Sequence, residues 1–190
     1  TEEEDRRLLG IVLREVDRLN DLVNTMLQVS RPPAPERMQA ALVALTSEVV
    51  EVARRDHRSA NLELSVKSPP GEMYAAIDCD QIRQVVWNLL SNALQHAPRN
   101  SRVQIEVREE GASVLWTIED SGPGVPAEAR GHLFDMFYSK RPHGVGLGLA
   151  LVDQIVRAHG GEVRVVSPPG RGAKFEVRLP KCDGVRLAAS

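Results

Sequence analysis

The stretch from Asp80 to His96 constrains the fold of this chain more than any other segment. Its apolar residues recur every three or four positions, which predicts a helix over residues 81–97 with one face packed on a sheet. That apolar face consists of Val85, Val86, Leu89, Leu90, Ala93 and Leu94. Asp80 is a plausible N-cap, and Pro98 follows the predicted end of the helix.

The opposite face of this helix is polar and unusual in its middle. It carries, one turn apart, Asp80, Gln84, Asn88, Asn92 and then Gln95 and His96. Asparagine is a poor helix former, so Asn88 and Asn92 indicate a requirement other than helix stability. Their amide oxygens suit Mg²⁺, a hard cation that takes oxygen ligands and usually keeps substrate phosphates as well. A solvated polar face is the alternative interpretation.

Asp120 ends an apolar strand and is followed by Ser-Gly-Pro-Gly124. Two glycines in a chain reversal let the backbone approach a flat ligand closely. A carboxylate at this place can accept a hydrogen bond from an exocyclic amine such as the adenine N6. Taken alone, the same residues favour a simple turn.

Gly144, Gly146 and Gly148 stand directly before a second helical pattern, residues 147–159. A helix N-terminus offers free N–H groups to anions, and glycines let phosphates come near. The spacing is not Gly-x-Gly-x-x-Gly, and no Gly-Lys-Ser/Thr follows, which excludes a dinucleotide fold and a P-loop. A flexible loop is the alternative, and Lys140 either contacts phosphates or keeps that loop soluble.

Three aromatic residues, Phe134, Phe137 and Tyr138, are unusual in the loop that residues 121–146 are expected to form. Aromatic side chains in such a loop suggest a lid that docks when ligand is present. Packing in the core explains them equally well.

The five histidines and two cysteines, Cys79 and Cys182, follow no metal-ligand spacing. His96 ends the polar stripe, where it either reaches a phosphate or is solvated at the helix end. His159 precedes a helix-ending glycine, a position in which a charged imidazole interacts with the helix dipole.

The remaining pattern predicts an α+β fold, a two-layer sandwich with helices on one face of a mixed sheet. Predicted helices cover residues 1–30, 42–58, 81–97 and 147–159, and predicted strands cover residues 61–67, 73–78, 102–108, 113–119, 162–167 and 173–179. We expect four units, namely one long helix in residues 1–31, a proline-rich linker in 32–37, a domain in 38–180 and a disordered tail in 181–190.

Bulk composition narrows the function classes. The formal net charge of -2 argues against nucleic-acid binding, which needs a basic footprint. No apolar run approaches the ~18 to 20 residues that span a bilayer, and no signal peptide is present, so we expect no membrane contact and a cytoplasmic location. The chain starts at Thr1 without Met, which suggests an excised fragment and leaves open a membrane anchor in the parent protein.

Taken in order, these motifs resemble the boxes of sensor histidine kinases. Asn88-Leu-Leu-Ser-Asn92-Ala resembles the N box, and Asp120-Ser-Gly-Pro-Gly124 resembles the G1 box. Leu133-Phe-Asp-Met-Phe137 resembles the F box, and Gly144-Val-Gly-Leu-Gly148-Leu resembles the G2 box. The resemblance covers roughly residues 38–180 and implies a Bergerat-type ATP-binding domain. Residues 1–30 are similar to the second helix of the dimerisation and phosphoacceptor hairpin.

The resemblance also implies roles for individual residues. Asn88 and Asn92 would be the catalytic residues, at Mg²⁺ and phosphate, and Asp120 would bind the adenine amine. Gly122 and Gly124 would shape the adenine end of the site. The other implied ATP-binding residues are His96, Phe137, Lys140, Gly144, Gly146, Leu147 and Gly148.

The implied activity is transfer of the ATP γ-phosphate to a histidine and then to an aspartate of a response regulator receiver domain. ATP and Mg²⁺ are the implied cofactors, and the intact protein is expected to be a homodimer through its dimerisation helices. None of the five histidines has the family's phosphoacceptor context, so the fragment is not expected to autophosphorylate by itself. The first hairpin helix is either truncated or on another chain.

Two departures from the family pattern concern the ATP site: Gln95 stands where many members have Lys, and Val145 where Thr or Ser is common. The alternative function is a GHKL-type ATPase or a nucleotide-sensing module. Such ATPases use a Glu at the position of Asn88 as general base, and an amide cannot take a proton at neutral pH. Slow or absent hydrolysis is therefore expected.

Overall fold

The protein is described by a computed structural model of the 190-residue chain. The structure describes residues 34–139, 145–167 and 171–181, and before them the positions 6, 8–10, 12, 16, 23, 26 and 27. These earlier positions are all helical, but most of the predicted helix 1–30 lies outside the described residues, as does most of the predicted tail.

The described domain contains seven strands, four α-helices and one 3₁₀ turn. In chain order they are β1 (Met38–Ala41), α1 (Leu42–Arg54), the 3₁₀ turn (His57–Ser59), β2 (Leu62–Lys67), β3 (Tyr74–Ile77), α2 (Cys79–His96), β4 (Ser101–Glu110), β5 (Ser113–Asp120), α3 (Ala127–Arg130), α4 (Gly148–Ala158), β6 (Glu162–Val166) and β7 (Lys174–Pro180). β1 and β3 form a small antiparallel sheet.

The other five strands form a mixed sheet, as the sequence predicts, and their order is β2-β4-β5-β7-β6. β2 and β4 pair in parallel, and the remaining pairs are antiparallel. One face of this sheet is apolar and is covered by α1, α2 and α4. The other face is polar, with ion pairs such as Arg108–Glu110 at 3.0 Å. The result is the two-layer sandwich that the pattern predicts.

Helix α2 lies at the centre of the helical layer. All six apolar residues predicted to pack on the sheet are buried, together with Ile82. α1 is fixed to the sheet by a buried hydrogen bond from the Trp116 indole N–H to Thr46 Oγ1, at 2.9 Å. Because both polar atoms are paired, the bond orients α1 without leaving a buried donor unsatisfied.

The start of α2 corrects one prediction. Asp78 caps this helix, not Asp80, because the Asp78 side chain accepts hydrogen bonds from the backbone N–H groups of Asp80 and Gln81, both at 3.1 Å. Asp80 instead lies in the first turn and pairs with Arg83 at 2.9 Å. Two aspartates two residues apart both fit a capping pattern, and the backbone turn selects the earlier one.

One element boundary was also predicted wrongly, and one strand was missed. The helix predicted over residues 42–58 ends at Arg54 and is followed by a separate 3₁₀ turn capped by Asp56. Strand β1 was missed, because four residues leading straight into a helix give too little alternation to detect.

His159 corrects a third prediction. It is 3% exposed, its Nδ1–H donates to the Ile155 carbonyl at 2.8 Å, and its Nε2 accepts from the Asp78 N–H at 3.1 Å. A backbone N–H can only donate, so Nε2 carries no proton and the imidazole is neutral. Burial lowers the pKa of His159, consistent with a neutral bridge between α4 and α2 instead of a charged group at a helix dipole.

Candidate functional site

A cavity of about 500 Å³ opens between α2, the end of β5, the start of α4 and the loop after Asp120. It is lined by Asn88, Ser91, Asn92, Gln95, His96, Asp120, Pro123, Gly124, Val125, Pro126, Ala129, Leu133, Tyr138, Ser139, Gly146, Gly148, Leu149, Ala173 and Phe175. Most of the predicted motifs therefore contribute to one cavity. Its size is that of a small-molecule site.

The polar face of α2 forms one wall. Asn88, Asn92 and His96, three residues of the polar stripe, all line the cavity, because residues four apart lie on one side of a helix. The Asn88 amide nitrogen donates to the Gly148 carbonyl at 3.4 Å, which is at the long end of hydrogen-bond distances. This contact ties α2 to the start of α4 and leaves the Asn88 amide oxygen as an acceptor.

Asp120 lies at the end of β5, is 3% exposed and lines the cavity. Its Oδ1 accepts from the backbone N–H of Gly122 at 2.7 Å and from that of Ala173 at 3.3 Å. Burial raises the pKa of Asp120, and these two hydrogen bonds act in the opposite direction. Since both donors meet Oδ1, the carboxylate is held with Oδ2 available to a ligand amine.

The glycine loop and the loop after α3 are joined by the backbone. The Phe137 N–H donates to the Gly146 carbonyl at 3.0 Å. Gly146 has φ +70°, and a Cβ there would stand 2.5 Å from the Tyr138 carbonyl oxygen. Only glycine satisfies both constraints, so this position fixes the path of the chain into α4.

The three aromatic residues have three different positions. Phe134 is half-buried against the core, and Tyr138 lines the cavity. Phe137 is 60% exposed, with φ 64°, and does not line the cavity. Core packing therefore explains Phe134, and the lid that docks on a ligand stays a prediction.

The other predicted site residues divide into three groups. Gly124, Gly146 and Gly148 line the cavity, whereas Gly122 contributes through its N–H to Asp120. Leu147 is buried between two lining glycines and is not itself in the lining. Lys140 and Gly144 lie outside the described residues.

Sequence reasoning missed the contribution of the turn before β7. Gly172 has φ +75°, and a Cβ on it would lie 1.9 Å from the Asp120 carbonyl oxygen. The following residue, Ala173, donates to the Asp120 carboxylate and lines the cavity. The available signal is the run Pro168-Pro-Gly-Arg-Gly172, which stands between the last two predicted strands.

The donor set near α2 fits a magnesium–phosphate complex better than a cage made of protein ligands alone. Within the described part of the chain, no group of three or more His, Cys, Asp or Glu side chains could hold a metal ion. On the polar face of α2, the amides of Asn88 and Asn92 offer oxygen atoms to the cavity. Mg²⁺ usually takes one or two protein ligands and completes its shell with phosphates and water.

A mixed sheet covered on one face by helices, with a cavity between a polar helix face and a glycine loop, defines an ATP-binding catalytic domain. The family described as histidine kinase-, DNA gyrase B- and HSP90-like ATPases matches residues 77–183. The chain belongs to this family, and it carries the ATP-binding catalytic domain of a sensor histidine kinase.

Relatives of known name agree with this assignment. The sensor histidine kinase ZraS of Klebsiella oxytoca is 33% identical over 178 residues, which cover 93% of this chain and 38% of ZraS. The structure of full-length ShkA in complex with AMPPNP matches with a TM-score of 0.82 and 28% identity, covering 95% of this chain and 40% of ShkA. The histidine kinase ThkA, in complex with the response regulator TrrA, matches with a TM-score of 0.78 and 25% identity, covering 93% of this chain and 51% of ThkA.

The chain thus spans well under half the length of the ZraS relative. Among the residues that the structure describes, no helix combines the length and the apolar character needed to cross a bilayer.

Proposed function

We propose that this chain supplies the nucleotide half of a histidine-to-aspartate phosphotransfer. The observation that carries the proposal is that Asn88, Asn92, Asp120 and Gly148 face one cavity. Phosphoryl transfer depends on positioning and charge stabilisation more than on covalent chemistry by the enzyme, and these are what the cavity offers.

Asp120 binds the adenine end of ATP. Its oriented carboxylate accepts a hydrogen bond from the exocyclic amine, and Gly124 forms part of the adjacent wall. An apolar surface that includes Val125 and Phe175 suits a flat aromatic base. Replacing the Asp120 carboxylate by a hydrogen-bond donor would place that donor against the exocyclic amine, which is itself a donor.

Asn88 and Asn92 bind Mg²⁺ and phosphates at the other end. Bound Mg²⁺ would neutralise the negative charge of the phosphates. Gly146 and Gly148 allow the phosphates to approach the first turn of α4, where N–H groups are not used within the helix. Lys140 and Gly144 belong to the same proposed phosphate region.

The reaction breaks the bond between the γ-phosphorus and the β,γ-bridging oxygen of ATP and forms a bond to an imidazole nitrogen of the acceptor histidine. ADP leaves with the bridging oxygen, and the phosphoryl group then passes to an aspartate carboxylate of a response regulator. The acceptor histidine lies on another helix, in a longer form of the chain or in another chain.

The intact protein is proposed to be a cytoplasmic homodimer or the cytoplasmic part of a membrane-anchored one. The ThkA–TrrA complex supports a response regulator as partner.

The test follows γ-labelled ATP with Mg²⁺, using this chain alone and mixed with a longer chain that includes the upstream helix. We expect acid-labile, base-stable label on protein only when the upstream helix is present. The same mixture with Asp120→Asn in both chains is the control and should carry no label. Free phosphate without labelled protein would identify an ATPase and refute the phosphotransfer proposal.

A further inference from the structure

Arg58, in the 3₁₀ turn between α1 and β2, is held in a fixed position by Asp56. Its Nε donates to Asp56 Oδ1 at 2.9 Å, and its Nη2 donates to Oδ2 at 2.6 Å. The side-chain hydrogen bonds from Arg58 hold the pKa of Asp56 well below its usual range. A bidentate pair of this kind fixes both the position and the plane of the guanidinium.

The third nitrogen of the same guanidinium reaches the cavity wall. Arg58 Nη1 donates to Ser91 Oγ at 3.0 Å. Ser91 lines the cavity on α2, between Asn88 and Asn92. The contact spans 33 positions in sequence, so it depends on the tertiary fold and could not be predicted from local spacing.

Because of this contact, the Ser91 hydroxyl acts as a hydrogen-bond donor to other groups. A serine hydroxyl has one proton and two lone pairs. Because Ser91 Oγ accepts from Arg58, its own proton is free to point to an acceptor. A phosphate oxygen is the strongest acceptor that an ATP molecule presents, and a donor polarised by a cation suits it best.

The cavity also needs a cation that its described lining does not contain. Among the lining residues there is one carboxylate, Asp120, and there is no lysine or arginine. Gln95, on the same face of α2, is neutral. The Arg58 guanidinium uses three of its five N–H donors on Asp56 and Ser91, and its side chain is 23% exposed, so it retains donors and some access to solvent.

We propose that Arg58 is a positioning residue for the phosphates of the bound nucleotide, acting through Ser91. Asp56 anchors the guanidinium, the guanidinium orients the Ser91 hydroxyl, and Ser91 donates to a phosphate oxygen. This inference rests on the proposed ATP site and adds to it a phosphate-binding wall on the side of the 3₁₀ turn.

The test measures dissociation constants for ATP, ADP and adenosine, each with Mg²⁺, for the whole chain and its variants. Arg58→Ala and Ser91→Ala should each weaken ATP and ADP about tenfold, the effect of one hydrogen bond to a charged group, and leave adenosine unchanged. Arg55→Ala is the matched control, because it removes an exposed arginine three positions away and should change none of the three constants.

A double variant shows whether Arg58 acts through Ser91. If it does, Arg58→Ala combined with Ser91→Ala weakens ATP no more than about twofold beyond Ser91→Ala alone, because the two residues act as one unit. Arg58→Lys, which retains the charge but not the two-pronged contact with Asp56, should recover part of the affinity.

Three outcomes would overturn the inference. The first is an unchanged ATP affinity in Arg58→Ala, and the second is an equal weakening of adenosine and ATP, which indicates a purely structural role. Additive losses in the double variant would show that Arg58 does not act through Ser91. In all three cases the parent chain still binds ATP, so the proposed function stands. If the parent chain binds no ATP, the proposed function itself is wrong.

Discussion

Asp120 combines a cost in stability with a proposed role in binding. Because burial raises the folded pKa of Asp120, its contribution to stability is fully present below the ordinary value of 3.8 and is lost as the pH rises through the folded pKa. At neutral pH the buried charge is therefore unfavourable for folding. Sites that retain such groups commonly do so for function.

Asp120→Asn should separate these two effects. Asn can still accept from the Gly122 and Ala173 N–H groups, so we expect its free energy of unfolding at pH 7 to be at least that of the parent chain. ATP affinity should fall about a hundredfold, because the amide presents a donor to the adenine amine. Urea denaturation and a nucleotide titration measure the two effects. An unfolded variant, or one that binds ATP as the parent does, contradicts the assignment.

The lowered pKa of His159 makes the free energy of unfolding depend on pH. Its folded pKa lies below the ordinary value of 6.5, so the unfolded chain takes up a proton that the folded protein excludes. The contribution of His159 is present above pH 6.5 and is lost as the pH falls through the folded pKa. The slope from this single group is at most about 1.4 kcal/mol per pH unit.

His159→Gln should remove this part of the slope, since a glutamine can donate to the Ile155 carbonyl and accept from the Asp78 N–H without titrating. Unfolding by urea between pH 5 and 8 measures the slope. Identical slopes for the parent chain and His159→Gln would refute the neutral bridge.

At the scale of elements, α2 shows what a sequence pattern determines. Its helical period predicted the buried face, and its one-turn stripe predicted which side chains would share the cavity, because both follow from geometry within one helix. Strands β4 and β5 were predicted for the same reason, since strand alternation is a local signal.

Contacts between distant elements could not be predicted in this way. Gly172 is required because the Asp120 carbonyl lies against it, and the two residues are adjacent only after β5 and β7 have paired. The Arg58–Ser91 contact and the His159–Asp78 bridge have the same origin. The residues that position the site were therefore less predictable than those that line it.

Gly146 joins two elements of the site, and its replacement should affect both. Gly146→Ala places a Cβ 2.5 Å from the Tyr138 carbonyl oxygen in a left-handed backbone that costs about 1–2 kcal/mol for a non-glycine residue. We expect the start of α4 to shift and ATP affinity to fall at least tenfold, with a smaller loss in thermal stability.

Gly131→Ala is the matched control, because a Cβ at Gly131 would meet no atom within 4 Å and its φ is not positive. It should retain both ATP affinity and the unfolding temperature. Retention of ATP affinity in Gly146→Ala as well would show that the path of this loop is not needed for binding.

At the scale of the whole molecule, the buried apolar core formed by the described residues lies in the domain. Its buried members all lie between Ala40 and Leu179. The described apolar residues of the N-terminal segment are 46–64% exposed: Leu8, Leu9, Val12, Val16, Val23, Met26 and Leu27. Burial of this exposed apolar stripe against another helix would be favourable.

Removal of residues 1–33 should therefore leave the domain intact. We expect the shortened chain to keep its ATP affinity within about twofold and its unfolding temperature within about 2 °C, because no buried member of the core is lost. Sedimentation at two concentrations tests whether the stripe mediates self-association. Any self-association of the full chain should disappear in the shortened one. A shortened chain that unfolds early would show that the N-terminal helix is part of the domain, and one that still self-associates would move the interface onto the sandwich.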